Sequence, residues 1–187
     1  MMRTREMPPA EALKNIDELL LAVGPATGQL MNTLIKESKA QTILEIGTLH
    51  GYCTVWLAEA ARATGGKVIT LDVHAGKQEY ARKELSKAGL ASLVEFKLGD
   101  ARESIASLQP SIDFVLLDLW KDLYITCFDL FYPKLSLRRD DRGGQFSRKE
   151  AEEYRKHVRA KPDLQSMLLP VGSGIEVSRC TRGLEFK

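Results

Sequence analysis

Thr42-Ile43-Leu44-Glu45-Ile46-Gly47-Thr48-Leu49-His50-Gly51-Tyr52-Cys53 is the stretch that decides the fold. Ile43, Leu44 and Ile46 make a short, nearly unbroken apolar run, as expected of a strand covered on both faces. Gly47 and Gly51 then keep a turn free of β-carbons, so that a ligand can approach its backbone. The helix that follows, Tyr52 to Ala63, aims its free N–H groups at the same place. Glu45 is a carboxylate inside an apolar strand and needs a partner, because burying it alone is expensive. The plainer alternative is a simple strand–helix turn with a solvated Glu45.

The pattern repeats on the C-terminal side. Lys67 to Asp72 reads as a strand, Ala75 to Ala88 as a helix with Tyr80, Leu85 and Ala88 inward, and Leu93 to Leu98 as a strand. Ala101 to Leu108 reads as a short helix, Ile112 to Asp118 as a fourth strand, and residues 122–132 as a helix ended by Pro133. A further helix is expected to start at a Ser147 cap and to include Tyr154 to Arg159. Leu164 to Leu169 and Gly174 to Arg179 read as an antiparallel pair of strands. On the N-terminal side, residues 10–22 and Pro25 to Lys39 carry helical apolar spacing, with Gly24-Pro25 between them. Alternating strands and helices predict a doubly wound, mostly parallel Rossmann-like α/β sheet with an antiparallel C-terminal arm. The expected organisation is one domain over 1–187, with 1–40 as a helical cover and 41–187 as the core.

Apolar content of 44% and charged content of 28% are those of an ordinary soluble globular chain. A net charge of +2 gives no case for nucleic acid or an anionic membrane as partner. No run reaches the roughly 20 apolar residues of a membrane helix, and the N-terminus lacks a signal-peptide core. Cys53, Cys127 and Cys180 are widely spaced, which fits reduced thiols in a cytoplasmic protein. His50, His74 and His157 lack metal-ligand spacing and read as surface or turn residues. Trp56 reads as core.

In a doubly wound sheet, ligands bind outside the carboxyl ends of the strands at the switch point. Glu45 with Gly47, Asp72, Asp100 and Asp118 mark the ends of four successive strands. Helix capping is a competing explanation that suits Asp100 well and Asp72 in part. The turn is Gly-x-x-x-Gly, so the phosphate cradle of dinucleotide enzymes is absent. Asp72 is placed to accept hydrogen bonds from a ribose diol. Glu45 puts negative charge where a pyrophosphate would be repelled and a cationic, amino-acid-bearing cofactor favoured. S-adenosylmethionine is therefore preferred over NAD.

Thr42–Trp56, with Asp72 and Gly99-Asp100-Ala101, resembles the class I S-adenosylmethionine-dependent methyltransferases. Val23-Gly24-Pro25-Ala26-Thr27-Gly28-Gln29-Leu30-Met31 and Asp118-Leu119-Trp120-Lys121-Asp122-Leu123-Tyr124 narrow the resemblance to the catechol-type, metal-dependent O-methyltransferases. It runs over about 16–135 and resumes over about 150–180. The resemblance implies that Glu45, Gly47, Thr48 and Cys53 line the methionine end of the cofactor, with Cys53 where a serine is usual. Val23 would give a backbone contact and Asp72 would hold the ribose. Asp100, Ala101 and Arg102 would border the adenine, and Trp120 would pack on it. Asp118 would border the same cleft and be the first ligand of Mg²⁺ or another divalent cation. Lys121 would take the acceptor's proton. A free lysine has a pKa near 10.4, so this role requires burial or neighbouring positive charge. The bland alternatives are core packing for Trp120 and a solvated lysine at Lys121.

One segment breaks the pattern. After Lys134-Leu135-Ser136 the family has an apolar fifth strand ending in Asp-Asn, which supply further metal ligands. Here the chain reads Leu137-Arg138-Arg139-Asp140-Asp141-Arg142-Gly143-Gly144-Gln145. So charged a run does not suit a slot inside a sheet, and the fifth strand is expected to be disrupted. Suitable codons for these residues, read one base later, spell x-Gly-Ala-Thr-Ile-Val-Ala-Asp-Asn, which suggests a local frameshift restored before about Arg148. A natural loop replacement is the alternative. The basic cluster Arg138, Arg139, Arg142 and Arg148 reads as a solvated loop rather than an RNA site.

Three functions follow as expectations. The first is an O-methyltransferase acting on a small hydroxylated acceptor, catechol-like by the resemblance. The second is a cofactor-binding homologue with impaired catalysis. The third is a nucleotide-dependent oxidoreductase. Met167 falls where the family's substrate-facing acid would lie, which leaves the acceptor open. The N-terminal helices are suited to a homodimer.

Overall fold

The structure, a computed structural model, describes residues 24–109, 111–136, 144–148, 152–172 and 174–182, with 144–148 described by their backbone. The described strands are β1 (Thr42–Ile46), β2 (Lys67–Asp72), β3 (Val94–Leu98), β4 (Phe114–Leu117), β5 (Gly144–Arg148), β6 (Leu164–Leu169) and β7 (Ile175–Cys180). The helices are α1 (Pro25–Ser38), α2 (Tyr52–Thr64), α3 (Ala75–Lys87), α4 (Ala101–Ser107), α5 (Tyr124–Phe131) and α6 (Glu152–Arg159). The strands form one sheet in the order β3-β2-β1-β4-β5-β7-β6. β1 to β5 run parallel, and β7 lies antiparallel between β5 and β6. This is the doubly wound sheet with an antiparallel arm that the apolar pattern predicts.

Period-two alternation divides the apolar strand residues between two cores. Ile43, Val68, Phe114 and Leu116 pack with Met31 and Ile35 of α1 and Leu57, Ala58 and Ala61 of α2. Leu44, Ile46, Val115 and Leu117 pack with Ile105 of α4, Phe128 and Phe131 of α5, and Tyr154 and Val158 of α6. A strand buried on both faces leaves polar side chains only two outlets: its ends, or partners inside. The site grows from both outlets.

Three readings require correction. Of the residues expected inward on α3, Leu85 is buried, but Tyr80 is 50% exposed and Ala88 is exposed as well, because the buried face runs through Gln78, Ala81 and Leu85. Trp56 is half-buried rather than core: its indole covers Gly28 of α1, where a Cβ would lie 2.4 Å from Trp56 Nε1. The fifth-strand slot is also filled. Gly144–Arg148 pair in parallel with β4 and antiparallel with β7, so Gly144 and Gln145 are strand residues and Ser147 is not a helix cap.

The disruption takes a definite form in the ladder. The parallel offset from the fourth to the fifth strand is 23 at the Ile112–Leu135 bridge and 30 at Phe114–Gly144. Seven residues, 137–143, thus intervene where continuous pairing would need none. They include the charged run and lie outside the described residues, as do the expected 10–22 helix and Val23.

Candidate functional site

The order of the strands reverses between β1 and β4, and the candidate residues gather there. β1 carries Glu45 toward α2, where the carboxyl is fully buried. Its Oε2 accepts hydrogen bonds from Thr54 Oγ1 at 2.6 Å and Thr70 Oγ1 at 2.5 Å. Thr70 is the residue paired with Glu45 across the β1–β2 ladder. The Thr70 and Thr48 hydroxyls lie 2.6 Å apart. A hydroxyl has one proton, so when Thr70 donates to Glu45, Thr48 donates to Thr70. The network therefore runs from the turn, through β2 and β1, to α2.

Glu45 Oε1 is buried and has no hydrogen-bond partner. Burial pushes the Glu45 carboxyl up to about 8, against the two threonine hydrogen bonds and with help from the charges of Asp118 and Asp72. The expected need for a partner is met on one oxygen only. The sequence reading had not placed Thr54 or Thr70 in the site. Their signal was a hydroxyl in an apolar strand or helix face beside a buried acid.

Gly47 has φ +107 and sits against β4. A Cβ there would lie 2.1 Å from the Asp118 carbonyl oxygen. The backbone it crowds is thus the protein's own, rather than only a ligand's approach path. Gly51, at φ +83, meets Ala81 of α3 in the same way, at 2.7 Å. The N–H groups of Gly47 and Thr48 donate to the Leu71 carbonyl at 2.9 and 3.2 Å, which pins the turn to β2.

Asp72, at the end of β2, accepts from Leu49 N on Oδ2 and from His74 N on Oδ1, both at 2.9 Å. It is half-buried and ties the turn after β1 to the start of α3. Each carboxylate oxygen keeps a lone pair for a further donor. Asp100 caps α4 by accepting from Arg102 N at 2.7 Å. The Arg102 guanidinium folds back on the same carboxylate and holds it down at about 2. Capping therefore accounts for Asp100, while Asp72 has a second role in bracing the turn. Ala101 is half-buried and packs against the α5 side of the core.

Asp118 is buried beside Gly47, with its N–H donating to Ile46 O at 2.9 Å. Trp120 is 62% exposed, so core packing is not its role. Lys121 is also exposed and opens a short 3-10 turn, Lys121–Leu123. Cys53 is buried in the first turn of α2 and is in no disulfide. Val73 and Leu98 are 61% and 57% exposed at the ends of β2 and β3. The carboxyl edge of the sheet thus combines carboxylates with exposed apolar side chains. Asp113 lies at the opposite edge, where it accepts from Gln41 and Thr42 N at 2.9 and 2.8 Å and anchors the start of β1.

For a divalent cation the donor set among the described residues is incomplete. Among the described residues no group of three or more His, Cys, Asp or Glu side chains is placed to hold a metal ion, and Asp118 alone is not a site. For S-adenosylmethionine the chemistry fits better: a cationic ligand meets an acidic edge, with a buried, half-satisfied carboxyl beneath it.

Comparisons with known proteins agree with this geometry. The chain is 36% identical over 103 residues to a catechol O-methyltransferase of Mycobacterium tuberculosis, covering 54% of this chain and 46% of that one. It is 27% identical over 209 residues to caffeoyl-CoA O-methyltransferase 1 of Eucalyptus globulus, covering 94% and 82%. The chain spans about half the length of the first curated relatives it matches, at 46%, 50% and 48%. The crystal structure of an O-methyltransferase from Bacillus cereus in complex with SAH superposes with a TM-score of 0.75 at 22% identity, covering 94% of this chain and 93% of that one. No helix among the described residues is long and apolar enough to cross a membrane. Residues 10–136 match the family described as O-methyltransferase, and the chain therefore belongs to that family of class I S-adenosylmethionine-dependent methyltransferases.

Proposed function

We propose that this chain binds S-adenosylmethionine and transfers its methyl group to a hydroxyl of a small, catechol-like acceptor. The observation that carries the reading is the junction at Gly47. There the Glu45–Thr70–Thr48 network, the Asp72 brace and the Asp118 carbonyl meet, with Trp120 and Lys121 just beyond. Glu45, Gly47, Thr48 and Cys53 would hold the methionine end, and Asp72 the ribose hydroxyls. Asp100, Ala101 and Arg102 would border the adenine, and Trp120 would cover it. Val23 would add a backbone contact. When bound, the cofactor supplies an electrophilic methyl group on a sulfonium. Asp118 adds negative charge beside that cation. Lys121 would accept the acceptor's hydroxyl proton on Nζ as the oxygen forms its new bond to carbon and the carbon–sulfur electrons leave with sulfur. Alignment supplies much of the rate in such a displacement. The three buried cysteines, none of them in a disulfide, support a cytoplasmic setting. Neither nucleic acid nor membrane is proposed as a partner, and a homodimer is proposed through the N-terminal residues.

The seven-residue offset in the fifth-strand ladder favours a second reading, a homologue that binds the cofactor but has impaired chemistry. The deciding experiment measures methyl transfer to catechol, with and without Mg²⁺. It compares this chain with one in which residues 138–145 are replaced by Gly-Ala-Thr-Ile-Val-Ala-Asp-Asn. The replaced chain is expected to be at least tenfold faster. Equal activity in both would refute the account of the broken strand, and activity in neither would leave only the second reading.

A further inference from the structure

The carboxyl of Glu45 is fully enclosed, and its two oxygens are held unequally. Oε2 lies 2.6 Å from Thr54 Oγ1 and 2.5 Å from Thr70 Oγ1, whereas Oε1 has no hydrogen-bond partner. The groups that face it are the hydroxyls of Thr54 on α2 and Thr70 on β2. The charges that act on it from farther away are those of Asp118 after β4 and Asp72 at the end of β2, both negative. An ionised Glu45 leaves charge on a buried oxygen that no donor reaches, near two like charges. A neutral Glu45 avoids this. It puts a carbonyl oxygen at Oε1 and its proton on Oε2, within hydrogen-bond distance of Thr70 Oγ1.

The hydroxyls serve either form. Thr70 and Thr48 carry one proton each, and either one is able to donate to the other. With Glu45 neutral, Glu45 donates to Thr70 and Thr70 to Thr48. With Glu45 ionised, both bonds reverse: Thr48 donates to Thr70 and Thr70 to Glu45. Thr48 stands in the turn after β1, so the chain of hydroxyls ends where the cofactor is proposed to bind. The methionine end of S-adenosylmethionine brings a sulfonium and an ammonium. Positive charge near a buried carboxyl favours its ionised form.

On the reading that this junction holds S-adenosylmethionine, we infer that Glu45, Thr70 and Thr48 form a proton switch: Glu45 is neutral in the empty site, and cofactor binding releases its proton. The proton on Oε2 passes to Thr70 Oγ1, the Thr70 proton to Thr48 Oγ1, and the Thr48 proton to water and the buffer base. One proton leaves and one carboxylate forms, with Thr54 and Thr70 both donating to it. Cofactor affinity therefore climbs as pH rises, and levels off near 8, the value to which burial pushes the carboxyl of the empty site.

The test is calorimetric titration of the full chain with S-adenosylmethionine, in EDTA and in buffers of different ionisation enthalpy, which counts the protons released. Close to one is expected at pH 7, and close to none in Glu45→Gln. Affinity is expected to rise at least tenfold from pH 6 to pH 8 in the wild type and to change less than threefold in Glu45→Gln. Infrared difference spectroscopy reads the switch without a variant: a carboxylic-acid carbonyl band should disappear as the cofactor binds. S-adenosylhomocysteine, which lacks the sulfonium, locates the charge. A smaller release with it would assign the coupling to the sulfonium, and an equal release to the ammonium. Binding of S-adenosylmethionine without proton release, equal release by Glu45→Gln, or a carboxylic-acid band that survives binding would each overturn the inference and leave the cofactor reading in place. No binding anywhere between pH 6 and pH 8 would overturn that reading, and the inference with it.

Discussion

Glu45 shows what one buried carboxyl does to a site. Its proton affinity is raised to about 8 by burial, whereas an unfolded chain releases that proton near the ordinary value of 4.5. The folded state therefore holds a proton that the unfolded state gives up between these two values. Stability from this group is complete below about 4.5 and is lost as pH rises toward 8. At 1.36 kcal/mol per unit the loss is at most on the order of 4–5 kcal/mol. Glu45→Gln keeps an oxygen to accept from Thr54 and Thr70 and puts an uncharged amide at the unpartnered position. Urea unfolding at pH 5 and pH 8 should show wild-type stability falling between the two values, and Glu45→Gln nearly flat. A parallel decline in both proteins would mean that other groups set the slope. The carboxyl's need for partners was legible in the sequence. Its partners were not, because Thr70 becomes its neighbour only through the β1–β2 register.

The junction of β1 and β4 shows how an element constrains a residue more tightly than a motif does. The glycine-rich turn was readable from its spacing, but the reason for Gly47 was not. Sequence reading assigned the missing Cβ to a ligand, whereas the structure places the Asp118 carbonyl in that space. Gly47→Ala would add strain at φ +107 to a clash with backbone that cannot rotate away. A cost of about 3 kcal/mol or more is expected. Gly65→Ala is the control: it also has positive φ, +73, but nothing lies within 4 Å of its Cβ. Its cost should be about 1 kcal/mol. Chemical denaturation of the two variants separates contact from conformation, and equal costs would refute the close-approach argument. The strands β1, β2 and β4 were legible from their apolar runs, and β3 from the alternation of Val94, Phe96 and Leu98 with Glu95 and Lys97. β5 was not, since Gly144–Arg148 lacks such a run and owes its place to β4 and β7 on either side.

At the scale of the molecule, the sheet separates binding from chemistry. Val23 apart, which lies outside the described residues, the residues proposed to hold the cofactor stand on β1 and β2, on the turns that follow β1 and β4, and at the starts of α2 and α4. Those strands are bonded to one another without any help from β5. The departure from the family pattern begins beyond Ser136, on the far side of β4. Cofactor affinity should therefore be indifferent to the 138–145 replacement even where turnover is not. A ligand at one hundred times its Kd stabilises the folded state by about 2.7 kcal/mol. For a chain of this size that is a rise in Tm of about 5–10 °C. Thermal unfolding should show such a rise with S-adenosylmethionine in both the chain as it stands and the replaced chain, and none with NAD. A rise confined to the replaced chain would mean that β5 helps to build the cradle. A rise with NAD in place of S-adenosylmethionine would return the junction at Gly47 to the dinucleotide reading that its glycine spacing argues against.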